Sequence, residues 1–150
     1  MTMRYPHEKV YLEPTPNAAY IYDQEVKNLD EVKLHQDAVK QLMNIIGCEI
    51  RCRATYHDYT KLKHEHLTFE EHMTTERHHL NNPKGVPDDV NVIDLVEFIC
   101  DVVSAAAQRT GILDFRLTQV DESLLRQIIN NTIMDLLKLV RINKEDDKDG

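Results

Sequence analysis

The chain has 150 residues, 41% of them hydrophobic and 29% charged, with four glycines, no tryptophan and a formal net charge of −8 at pH 7. That length fits one domain, and the acidic balance opposes the broad basic surface needed to neutralise the phosphates of a nucleic-acid polymer. No stretch approaches the roughly 20 consecutive apolar residues of a membrane span, and the start MTMRYPHEKVYLEP holds no apolar signal core, so no membrane partner is expected and the expected location is the cytoplasm.

Residues 1–27 hold Pro6, Pro14 and Pro16 without sustained periodicity and are expected to form an extended arm, with at most one helical turn, used in packing or oligomer contact. From Asn28 or Asp30, either of which can cap a helix, to Gly47, apolar residues recur at Val32, Val39, Leu42, Met43 and Ile46. That stripe predicts an amphipathic helix that stops at the glycine and carries His35 on its apolar side. A second helix from about Cys48 to Tyr59 is expected to place His57-Asp58 near its C-terminal end.

Thr68 with Glu70 and Glu71 marks a further helix start, carrying His72 through His79 until Asn81-Asn82-Pro83 ends it. LNNPKGVPDD is read as a loop. The segment from about Asn91 to Gln108 is apolar nearly all round except for Asp94, Glu97, Asp101, Ser104 and Gln108, which form one polar stripe on a helix expected to be buried. After Thr110-Gly111, Asp121 or Ser123 caps a last helix with the apolar band Leu124, Leu125, Ile128, Ile129, Ile133, Leu136, Leu137 and Val140. The breadth of that band admits either a core face or a homodimer seam. These elements predict an all-α fold: a compact helical bundle of about five to six helices over residues 28–143, preceded by the extended N-terminal arm and followed by a disordered acidic tail at 144–150. The cysteines Cys48, Cys52 and Cys100 fall in apolar segments and read as buried free thiols. Cys48 and Cys52 lie one helical turn apart, but no second pair completes a zinc site.

Six of the eight histidines fall between positions 57 and 79, which asks for an explanation beyond composition. A hydrolytic metal site needs neutral imidazoles and ionised carboxylates converging on one cation with a position left open. His57-Asp58 supplies two candidates from one helix end, although adjacent helical side chains diverge by about 100° and converge only at a terminus or a distorted last turn. His35, on an inward-looking stripe, and Asp101, on the only polar stripe of an apolar helix, are the natural completions. Two histidines and two carboxylates suit a divalent transition metal such as manganese, iron, cobalt or nickel, with zinc as a further choice. Arg51 and Arg53 can reach a phosphate or pair with the chain's surplus acids.

The order His35, His57-Asp58, Asp101 resembles the HD-domain metal-dependent phosphohydrolase superfamily, in which a histidine precedes a histidine-aspartate doublet and a distant aspartate follows on a later helix. The resemblance spans about residues 34–111 and extends to the HDxxK variant, present as HDYTK with Lys61. It is similar to a small HD-like family of phages and bacteria, matched here by His72, His78-His79 with Asn81, and Glu97 to Asp101. A phage origin would make the host cytoplasm the expected location.

That resemblance implies hydrolysis of a phosphoester or phosphoanhydride in a small substrate, a nucleotide first among them, with polymeric nucleic acid excluded by charge. In this reading His35, His57, Asp58 and Asp101 hold the metal, and Asp58, Lys61 and His79 serve catalysis. Lys61 and Glu97 contact substrate, with Lys61 neutralising a phosphate oxygen. His72, Glu76 and His79 share a helical stripe, with His78 on another face, and together these four are the candidates for a second metal or for phosphate and leaving-group protonation, so one or two ions are expected. The rival readings are a catalytically degenerate member that binds a nucleotide or a partner protein, and a phage structural protein whose arm and last helix build an oligomer.

Overall fold

The computed structural model describes residues 7–16, 29–58, 77, 80 and 86–144. Five elements occupy them: strand β1 (Val10–Leu12), helix α1 (Leu29–Thr55), helix α2 (Val92–Thr110), helix α3 (Glu122–Leu137) and strand β2 (Val140–Ile142). The fold is broadly helical, as the periodicity predicts. It departs from an all-α bundle of five to six helices: three helices stand among the described residues, and β1 pairs in parallel with β2 in the register Val10↔Val140, Tyr11↔Arg141, Leu12↔Ile142. The helix expected to carry His72 through His79 lies outside the described residues, apart from Arg77.

The largest correction concerns Gly47, which does not end a helix. The half-buried positions Leu42, Ile45, Ile46, Ile50 and Arg53, with the buried Glu49 among them, keep a helical period straight through it, and the two predicted helices are one helix of 27 residues. A glycine caps a helix by adopting positive φ, and among the described residues only Gly111 does so as a glycine. Asp30 and Glu31 in the first turn and Arg53 in the last complement the helix dipole.

The ends of α2 follow the sequence closely. Asn91 is its N-cap: its Oδ1 accepts from the backbone N–H of Ile93 (3.0 Å) and Asp94 (3.2 Å), and the Asn91 N–H donates back to Asp94 Oδ2 (3.0 Å), a reciprocal capping box. Gly111, at φ 68°, closes the helix by donating its N–H to Ala107 O. Asp121 caps α3 through the N–H groups of Ser123 and Leu124.

The core lies between α2, α3 and the segment leading into α2. Leu80, Val90, Phe98 and Ile128 form it, with Val86, Leu95, Val102 and Leu124 packed against them. Each such side chain contributes about 1.5–3 kcal/mol when fully buried. Polar bonds lock the entrance of α2 onto α3: Asn131 Nδ2 donates to Asp88 O (3.0 Å) and Val90 O (2.9 Å), and Thr132 Oγ1 accepts from the Val92 N–H (2.9 Å) while donating to Ile128 O (2.7 Å). These contacts fix the axial position of α2, and with it Glu97 and Asp101. The thiols depart from expectation, since Cys48 and Cys100 are exposed and only Cys52 is half-buried. Their helices each present one side to the core, and these two positions fall on the other.

Candidate metal centre

The C-terminal end of α1 tightens before it stops. Tyr56 N–H donates to Arg53 O (3.1 Å) and His57 N–H to Ala54 O (3.5 Å), short-range bonds that satisfy carbonyls a continuing helix would have used. Asp58 then adopts φ 53°, the one positive φ outside glycine among the described residues. Aspartate tolerates this left-handed conformation better than most side chains. The reversal turns two neighbours that would diverge on a regular helix toward one point.

Facing that point is α2, where Glu97 and Asp101 lie one turn apart on one face. His57 Nδ1 and Glu97 Oε2 are 2.8 Å apart, and since a carboxylate only accepts, Nδ1 carries the proton. The other ring nitrogen, Nε2, lies 3.4 Å from Asp58 Oδ2 and 3.2 Å from Asp101 Oδ1. Ligand atoms of His57, Asp58 and Asp101 all fall within 4.8 Å of one another, the one such group among the described residues. Donors bonded to one ion at about 2.1 Å stand about 3.0–3.4 Å apart, so the two His57–carboxylate spacings and the mixed N/O donor set fit a divalent cation.

Behind the triad runs a chain of ion pairs. Arg53 Nη1 donates to Glu97 Oε1 (3.1 Å) and to Asp94 Oδ1 (2.6 Å). Asp94 is wholly buried, and it also accepts from Arg77 Nε (3.0 Å) and Nη2 (3.1 Å), while Arg77 reaches Asp89 at 2.8 Å. Burial opposes the charge on Arg53 and on Arg77, but their hydrogen bonds and ion pairs with these carboxylates outweigh it and hold both guanidinium groups above their ordinary pKa. The same contest applies at His57. Desolvation pulls its pKa down, and the Glu97 hydrogen bond with the charges of Asp58, Glu97 and Asp101 lifts it above the usual imidazole value in the metal-free protein.

Beside the triad, between α1 and α2, opens a cavity of about 280 Å³. Ile50, Ala54, Ile93 and Val96 make one wall apolar, and His57, Asp101 and Ser104 supply polar groups.

The structure thus brings together His57, Asp58, Asp101 and Glu97 of the predicted residues. Glu97, expected to bind substrate, bonds His57 and Arg53. His35 is not brought to the site. Because α1 is continuous, at about 1.5 Å per residue His35 stands about 30 Å along the axis from the helix end that carries His57, and its side chain is exposed. Lys61, His72, Glu76, His78 and His79 lie outside the described residues. Arg77 and Asp94 carry structural roles that sequence reasoning missed; the Asn91-x-x-Asp94 capping pattern was a signal for the aspartate, and nothing local marked the arginine. Compared with protein-family models, with curated proteins and with solved structures, the chain finds no match in any of the three.

Proposed function

We propose that the protein is a divalent-metal-dependent phosphohydrolase of HD type, acting on a small phosphorylated substrate, with nucleotides the first class to test. The observation that carries this reading is the convergence of His57 Nε2, Asp58 Oδ2 and Asp101 Oδ1 beside a cavity, with Glu97 holding the opposite ring nitrogen. A divalent ion bound there supplies Lewis acidity and a water acidic enough to ionise near neutral pH. Three protein donors leave room for water and a phosphoryl oxygen. Glu97 fixes the imidazole tautomer that leaves Nε2 free to ligate, and Arg53 in turn fixes Glu97. Manganese, iron, cobalt, nickel and zinc are all compatible with these donors. The apolar wall of the cavity gives the non-phosphate part of a substrate a dry surface.

The test combines metal content with phosphate release from a nucleotide panel. The wild-type chain is expected to bind a divalent ion and turn over at least one member of the panel, and Asp58→Asn to lose both. Glu97→Gln is expected to weaken metal affinity by about 10- to 100-fold with unchanged helix content. Unchanged metal content in Asp58→Asn would refute the centre, whereas tight metal binding without turnover would favour a nucleotide- or partner-binding protein.

A further inference from the structure

Between α2 and α3 runs a segment, Ile112–Val120, in which every residue is exposed. Leu113, Phe115 and Leu117 are exposed by 91%, 49% and 55%, and they alternate with Asp114, Arg116 and Thr118. Alternation of apolar and polar side chains with a period of two is the pattern of a strand with one covered face. Among the described residues, nothing hydrogen-bonds to the backbone of residues 113–120, so this strand-like segment has no ladder.

The order of its residues says what the ladder partner is. Leu113-Asp114-Phe115-Arg116-Leu117 is complementary to itself when read backwards. Laid antiparallel on a second copy about a two-fold axis through Phe115, it sets Leu113 against Leu117, Phe115 against Phe115 and each Asp114 against an Arg116. Within one chain Arg116 Nε and Asp114 Oδ1 are already 3.7 Å apart, on one side of the segment and 87% and 91% exposed, so the paired copies would carry a four-charge ladder of alternating sign. A two-fold contact of this kind is isologous, residue i meeting j while j meets i. Opposite-charge and aromatic pairs directly across such a ladder each contribute about 0.2–1 kcal/mol.

We propose that the protein is a homodimer joined by antiparallel pairing of residues 113–117 with the same residues of a second copy. A two-stranded ribbon is marginal alone and needs an apolar surface under it. The outward stripe of α3, where Ile129, Ile133 and Leu137 recur every four residues and remain 47–57% exposed, is an apolar surface of the kind such a ribbon needs.

Sedimentation equilibrium of the full chain tests this with Asp114→Arg, Arg116→Asp and their equimolar mixture. Both positions are solvent-exposed, so neither change threatens the fold. The wild-type chain is expected to dimerise, and each single variant to weaken the dimer by about tenfold or more, because two like-charge pairs replace two attractive ones. The mixture is expected to recover a heterodimer, since arginines on one arm then face aspartates on the other. A wild-type chain that stays monomeric at high micromolar concentration, or a dimer that neither substitution weakens, would overturn the proposal.

Discussion

Asp58 carries two demands at once, a backbone in the left-handed region and a carboxylate aimed at the His57 ring. Holding an aspartate there costs on the order of 1 kcal/mol, offset by what the turn brings together. His57 is the other residue whose state depends on its neighbours. Its folded pKa lies above the ordinary imidazole value, so the unfolded chain releases its proton first as pH rises. The imidazolium therefore adds stability that is fully present below about pH 6.5 and is lost as pH climbs through the raised folded value. In metal-free protein, the difference in melting temperature between wild type and His57→Gln is expected to be largest below about pH 6.5 and to shrink as pH rises above it. Asp94 makes a sharper case. Asp94→Ala deletes a fully buried carboxylate that serves two arginines and the capping box, and chemical denaturation is expected to show a loss of about 3–5 kcal/mol.

At the scale of elements, α1 decides which predicted ligands can meet. Its unbroken run through Gly47 removes His35 from the centre and brings Arg53 and His57 onto one helix end. Gly47 sits inside the helix, and among the described residues a β-carbon there would meet only Arg51 Nη1, at an ordinary 3.5 Å. Gly47→Ala is therefore expected to stabilise the chain by about 0.5–1 kcal/mol in thermal melts, without altering metal affinity. The ends of α2 and α3 were legible because Asn91, Gly111 and Asp121 act through their own backbone neighbourhoods. Gly47 misled because a lone glycine is a stop only when the backbone turns left-handed there, and the stripe from Leu42 to Arg53 overrides that option. The doublet and Asp101 were legible as ligand types in a suggestive order. The partnership of Glu97 with His57 was not, because it depends on the helix rotation set by α3 packing far from the centre.

At the scale of the whole molecule, the arm was predicted as an extended segment used in packing, and its contacts join distant parts of the chain. His7 Nε2 meets the buried Glu49 Oε1 at 2.6 Å, Val10 N–H donates to Leu139 O at 2.8 Å, and Asn143 N–H donates to Leu12 O at 2.9 Å. Val10 and Leu139 are both buried where the strands meet. Deleting residues 1–13 is expected to speed hydrogen exchange at the Asn143 amide by about tenfold or more, while the amides of α2 keep their protection. This sheet also sets an order of events at synthesis. Its partners lie as far as 130 residues apart, as between Glu13 and Asn143, and a parallel pair has no tight turn to bring its strands together. On the ribosome the arm must wait, with Val10 uncovered, until Leu139 has left the exit tunnel. Helix α1 emerges long before that point, whereas α3 ends only two residues before Leu139, so core assembly around Ile128 and closure of the strand pair wait for the same stretch of chain.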